Sequence, residues 1–166
     1  MTVLDDGIDD LANRLLRQCE ARGLALLTAE SLTGGLIAAT LSAVPGAGQV
    51  LAGGFITYSP EMKISVLNVD PAVIVAHGVV SEEVARAMAR GALRYGGGGS
   101  ALALAVTGVA GPGPDPGGVP AGTVHIACIV RDGPELHRAY AFGDFGREVV
   151  RRRTVRGALE LAMQAL

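Results

Sequence analysis

Ser31, Lys63 and Tyr58 are the side chains of this 166-residue chain whose types and settings point to covalent chemistry. Ser31 stands in LALLTAESLTGGLIAATL, where an apolar run breaks into Glu30, Ser31, Thr33, Gly34 and Gly35 and then turns apolar again. No residue from Ser31 to Pro60 carries a charge, which isolates Glu30 and the hydroxyls beside it. Ser31 or Thr33 serves equally well as a helix N-cap, worth ~1 kcal/mol, and the glycine pair as a means of close helix–strand packing. Yet the same helix start offers free N–H groups to an oxyanion or a phosphate. Lys63 is the sharper anomaly, because the first turn of a helix disfavours a cation. Paired with Glu61 it is an ordinary surface lysine. Partly desolvated, it favours its neutral form and becomes a general base, as in Ser-Lys variants of triad chemistry. Tyr58, at a strand end shortly before Lys63, either caps that strand or hydrogen-bonds between the two.

Two further polar groups are candidates. The stretch TGVAGPGPDPGGVPAGT, Thr107 to Thr123, follows the most apolar strand and contributes Thr107, Gly108 and Gly111. Arg147 and Arg151 open the last helical segment one turn apart, and can converge on a phosphate with bidentate geometry. With Arg152, Arg153 and Arg156 they also read as a plain solvated basic face. A net charge of −2 excludes a general nucleic-acid binder. Neither a Walker pattern nor a G-x-G-x-x-G follows the first strand. His77, His125 and His137 lack metal-binding spacing, so no metal is expected. Cys19 and Cys128 give no disulfide framework, and no secretory signal is expected ahead of the first amphipathic segment. A reduced cytoplasmic setting is the default. Prolines and glycines interrupt both long uncharged stretches, Ser31–Pro60 and Tyr95–Pro114, so neither reads as a membrane span.

The elements that must position these residues alternate along the chain. A helix over DDGIDDLANRLLRQCEARG precedes the strand LALLTA. A helix from about Thr33 to Ser42, the strand VLAGGFITY, and the helix SPEMKISVL with Ser59 as cap and Pro60 in first position follow. SEEVARAMARGALRYG is the clearest helix, capped by Ser81 and ended by glycines. SALALAVTG reads as the central strand; GTVHIACIV and LHRAYAF form a hairpin about RDGPE, and REVVRRRTVRGALELAMQAL is a terminal helix. The pattern predicts an α/β fold, a three-layer α/β/α sandwich on a mixed, mainly parallel sheet. At this length one domain over 1–166 is expected, burying roughly two thirds of its unfolded surface. Ligands of such sheets bind at the carboxyl ends of the strands, where all three polar loops fall.

AESLTGGLIAATLSAVPGAG, GGFITYSPEMKISVLNV, HGVVSEEVARAMARGA, ALAVTGVAGP and PAGTVHIA occur in this order. Together they resemble the CinA C-terminal domain family, also called the PncC family of nicotinamide-nucleotide amidases, over roughly Ile8 to Leu166. The resemblance implies hydrolysis of the carboxamide of nicotinamide mononucleotide to nicotinate mononucleotide and ammonia, without metal or organic cofactor. It implies Ser31 of A-E-S-x-T-G-G as nucleophile, and Tyr58 and Lys63 of Y-x-x-x-x-K as the proton-transfer pair. Thr107 to Pro112 would line the same pocket, with Glu30 and Thr33 flanking the nucleophile. Backbone N–H groups around Thr33–Gly35 would stabilise the oxyanion, at ~3 kcal/mol for such a donor. Glu30 would either orient Lys63 or hold the loop.

Three features depart from the family pattern. Longer members carry an N-terminal molybdopterin-binding-like domain with pyrophosphatase activity; this chain starts at the amidase domain, so that activity is expected to be absent. FGDFGREVVR displaces the Gly-Asp step of G-D-R-x-x-x-R while keeping Arg147 and Arg151. Leu32 replaces a cysteine common in the family. A rival reading is a catalytically silent nucleotide-binding or protein-interaction module linked to competence or DNA damage; a third is an amidase for a related amide. High alanine content and a mean hydropathy of +0.39 favour a homodimer.

Overall fold

The computed structural model describes residues 7–166. Asp5 and Asp6, placed by the sequence at the start of the first helix, lie outside the described residues. That helix, α1, runs Ile8–Ala21 and buries Ala12, Leu15, Leu16 and Cys19 along one face. The apolar run after it is β1, Ala25–Glu30, and the uncharged stretch beyond Ser31 folds as α2, Leu36–Ser42, and β2, Leu51–Ile56. Helices α3, Pro60–Leu67, α4, Pro71–His77, and α5, Glu82–Leu93, follow. The strands β3, Ala101–Gly108, β4, Thr123–Val130, and β5, Glu135–Ala141, precede α6, Arg147–Ala165.

The sheet has the order β2-β1-β3-β4-β5. β2, β1 and β3 run parallel, β4 pairs antiparallel with β3, and β5 pairs antiparallel with β4. β3 is central and apolar from Ala101 to Val106 because both of its faces are covered, with Thr107 at its carboxyl end. One face packs against α1, α2 and α6, with Leu15, Leu26, Leu104, Ile126 and Leu159 in that core. The other packs against α5, on which α3 and α4 lean, with Leu27, Leu67, Met88 and Ala105 in its core. The chain is thus an α/β, three-layer sandwich with a mixed sheet.

Two local outcomes differ from the sequence expectation. Helix α2 begins at Leu36 rather than near Thr33, because Gly34 and Gly35 adopt left-handed φ values of 58° and 97° and hold residues 32–35 as turns. The short helix α4 was not foreseen, although Asp70 accepting from the Ala72 N–H at 2.9 Å ahead of Pro71 is a standard start. Gly91 of α5 matters to the site at one remove. A side chain there would strike the Leu67 carbonyl, so the glycine lets the end of α3 seat directly on α5.

Candidate active site

Parallel pairing brings the ends of β1 and β2 to one edge of the sheet. Thr57 N–H donates to the Glu30 carbonyl at 2.9 Å, and Ser31 N–H donates to Val106 of β3 at 3.1 Å. Ser31 therefore emerges between two strands, fixed through its main chain. The chain then tightens through a Gly34 N–H bond to the Ser31 carbonyl at 3.0 Å.

Glu30 is buried and organises this turn. Its carboxylate accepts from the N–H groups of Gly35 at 3.0 Å, Ile37 at 3.0 Å and Ala38 at 2.9 Å. A carboxylate on the unpaired N–H groups of a helix start is stabilised by both hydrogen bonds and the dipole. Of the two roles the sequence left open, the geometry is that of holding the loop; no bond joins Glu30 to Lys63 among the described residues.

Lys63 reaches the same point from α3. Ser59 caps that helix, accepting from Met62 N–H at 3.2 Å, and Pro60 occupies its first position. The lysine side chain is completely buried. Its Nζ lies 3.0 Å from Ser31 Oγ, and donates to the carbonyls of Thr57 at 2.7 Å and Tyr58 at 3.3 Å. Burial pushes its pKa down from 10.5 to about 8, against a smaller opposing pull from Glu61. Among the described residues no carboxylate forms an ion pair with it. In the neutral amine, two N–H groups serve the two carbonyls and the lone pair faces the Ser31 hydroxyl.

Tyr58 contributes differently from expectation. Its main-chain carbonyl faces Lys63 and lies 3.5 Å from Ser31 Oγ, whereas its hydroxyl turns outward and accepts from Arg147 Nη2 at 2.9 Å. The hydroxyl does not bridge Ser31 and Lys63.

Ser31 opens onto a cleft of about 410 Å³, whose lining includes Leu32, Tyr58, Thr107, Gly111, Asp115 and Arg147. Thr107 Oγ1 donates to the Val79 carbonyl at 2.9 Å, which ties the end of β3 to the segment before α5. Arg147, at the start of α6, donates to the Gly111 carbonyl at 2.7 Å and so pins the glycine–proline loop. Gly108 also lines the cleft; Glu30, Thr33, Gly34, Gly35 and Arg151 do not. Arg151 Nη2 instead donates to the Thr33 carbonyl at 2.7 Å, bracing the Ser31 turn from behind. Gly34 and Gly35 have their N–H groups engaged by Ser31 and Glu30, which leaves Thr33 of the expected oxyanion donors; its N–H and that of Leu32, which does line the cleft, meet no acceptor among the described residues. Asp115 and the Thr57 carbonyl were not singled out in the sequence: Asp115 lay inside a quoted loop, and a backbone carbonyl carries no residue signal.

The other reactive side chains lie elsewhere. Burial raises the Cys19 thiol to about 11 and the Cys128 thiol to about 12, which leaves both unreactive. His125 and His137 contact each other at 3.0 Å, and His137 faces Glu82 at 3.3 Å; neither lines the cleft. Among the described residues no group of three or more His, Cys, Asp or Glu could hold a metal, and no helix is long and apolar enough to cross a membrane.

The sequence model of the CinA C-terminal domain matches residues 8–166. The chain belongs to the CinA C-terminal domain family. It is 43% identical over 99% of its length to a CinA-like protein of Anaeromyxobacter dehalogenans, of which it covers 39%. It is 41% identical over 95% of its length to a putative competence-damage inducible protein of Lactiplantibacillus plantarum, of which it covers 37%. The chain thus spans under two fifths of these relatives. Among solved CinA-type structures, the competence/damage inducible protein CihA from Agrobacterium tumefaciens superposes with a TM-score of 0.91 at 39% identity, with 99% of each chain covered. A CinA superfamily protein from Escherichia coli gives 0.90 at 33% identity, over 100% of this chain and 95% of that one. The antiparallel β4–β5 hairpin and the α6 cover accordingly belong to the architecture of the CinA family.

Proposed function

We propose that the domain is an amidase that hydrolyses the carboxamide of nicotinamide mononucleotide to nicotinate mononucleotide and ammonia. One observation carries the reading: a fully buried Lys63, lowered to about 8, sits 3.0 Å from a serine hydroxyl that opens onto a cleft. Neutral Lys63 takes the Ser31 proton as Oγ attacks the amide carbon. The Leu32 N–H, next to Ser31 in the cleft lining and without an acceptor among the described residues, is the candidate donor to the developing oxyanion. Lys63 then returns the proton to the departing nitrogen, releasing ammonia and leaving an acyl ester on Ser31. Water attacks that ester, gives its proton to Lys63, and the carboxylate product leaves as Oγ regains the proton. The Tyr58 and Thr57 carbonyls hold Nζ through both steps, while Tyr58 OH orients Arg147. Arg147 is the cation that meets the substrate phosphate.

The direct test is ammonia release from nicotinamide mononucleotide, set against nicotinamide and NAD. Ser31→Ala should abolish release while folding and binding persist; substantial residual turnover removes Ser31 as nucleophile. Tight nucleotide binding with no ammonia from the intact protein would favour the binding-module reading instead.

The same proposal includes a homodimer in a reducing cytoplasm. Ile56, Met62, Phe145 and Val149 are exposed apolar residues on the elements that carry the site. Light scattering at micromolar protein should give a dimer mass; a concentration-independent monomer mass overturns it.

A further inference from the structure

Asp115 and Arg147 are the two residues of formal opposite charge in the cleft lining. They do not neutralise each other. Arg147 is engaged by the Gly111 carbonyl and the Tyr58 hydroxyl, and no ion pair joins it to Asp115 among the described residues. The position of Asp115 is held from several sides. Its Oδ1 accepts from Val119 N–H at 2.8 Å, its own N–H donates to the Val119 carbonyl at 3.0 Å, and its carbonyl accepts from Gly118 N–H at 2.9 Å. The loop is anchored again where Gly113 N–H donates to Asp144 Oδ2 at 3.0 Å. Pro114 and Pro116 flank the residue and stiffen it further. Oδ2 has no hydrogen-bond partner among the described residues. One oxygen therefore fixes the loop and the other leaves a negative charge on the cleft wall.

We infer that Asp115 is a specificity-determining residue that makes the cleft prefer a cationic heteroaromatic ring over its neutral counterpart. The inference rests on the amidase reading, under which the substrate carries a pyridinium ring and a phosphate. In a cleft of about 410 Å³, any bound ligand lies within about 10 Å of each lining charge, where unit charges still interact between low-dielectric walls. Arg147 serves the anionic end of such a ligand, and Asp115 serves the cationic ring. Ring reduction to the dihydropyridine removes the positive charge with little change of shape, so the two ring states separate charge recognition from fit.

The experiment measures dissociation constants of oxidised and reduced nicotinamide mononucleotide by calorimetry, for the wild type and Asp115→Asn. Asparagine keeps the oxygen that accepts from Val119, so the loop is retained. The wild type should favour the oxidised form, and the variant should lose about fivefold of that preference, chiefly through weaker binding of the oxidised form. Raising the salt concentration should shrink the preference of the wild type but barely affect that of the variant. An unchanged ratio in Asp115→Asn, or equal loss for both ring states, overturns the inference and leaves Asp115 a loop-holding residue. Ammonia release is followed on the same wild-type sample. Charge-selective binding without release removes the amidase reading alone, whereas release with an unchanged ratio removes the Asp115 inference alone.

Discussion

Lys63 Nζ lies 3.0 Å from Ser31 Oγ, although 32 positions separate the two residues in the chain. Parallel pairing of β1 with β2 creates this contact, by bringing both strand ends to one edge and letting α3 start beside the Ser31 turn. Among the described residues the lysine is held by carbonyls rather than by a carboxylate, so none of them fixes its charge as a counter-ion.

A base lowered to about 8 is largely protonated at neutral pH and active only as it loses its proton. Activity should therefore rise with pH through about 8, the limb belonging to the Ser31–Lys63 unit. Lys63→Arg keeps a positive charge but cannot deprotonate in this range, so it should lose nearly all activity at every pH. Wild-type kcat with an unchanged pH profile in Lys63→Arg would demote the lysine to an electrostatic role.

The same lowering has a consequence for stability. Lys63 has a pKa of about 8 in the fold and near 10.5 when unfolded, so between these values the unfolded chain binds the extra proton. Stability contributed by this site then rises with pH across that window, and the penalty of the buried charge is fully present below it. The unfolding free energy of the wild type relative to Lys63→Met should increase by about 3 kcal/mol from pH 8 to 10.5. Parallel curves for the two proteins in denaturant titrations would contradict it.

Glu30→Gln replaces an acceptor-only carboxylate, which binds three N–H groups, by one acceptor and one donor. Hydrogen bonds to a charged group and the helix dipole are both weakened. Loss of about 2 kcal/mol is expected, or a fall in Tm of about 6 °C. An unchanged melting curve would show that the carboxylate is not what holds the start of α2.

Arg147 and Arg151 should separate by phenotype despite their one-turn spacing. Arg147 lines the cleft, so Arg147→Ala should raise KM for nicotinamide mononucleotide about tenfold or more, and leave the phosphate-free riboside unaffected. Arg151 braces Thr33, so Arg151→Ala should lower Tm and kcat with little change in KM. The reverse assignment of effects would place the phosphate at Arg151.

Periodicity and composition alone settled the order of most elements, because amphipathic helices such as α5 and strands with a long apolar run such as β3 declare their burial in residue type. They also brought forward Ser31, Lys63, Tyr58 and Arg147, whose chemistry is unusual for where they stand in the chain. The tertiary structure decided what those residues face. Glu30 turned inward onto the start of α2, because three unpaired N–H groups there outcompete any more distant partner. The Tyr58 hydroxyl turned to Arg147 while its carbonyl faced Lys63, a distinction within one residue that no residue code records. Arg147 and Arg151 read alike in sequence and diverged because one helical turn moves a guanidinium from the cleft wall to the back of the Ser31 turn. Residue type specifies which groups can react or pair; the partner each one meets depends on contacts between segments far apart in the chain, and only the folded backbone brings these together.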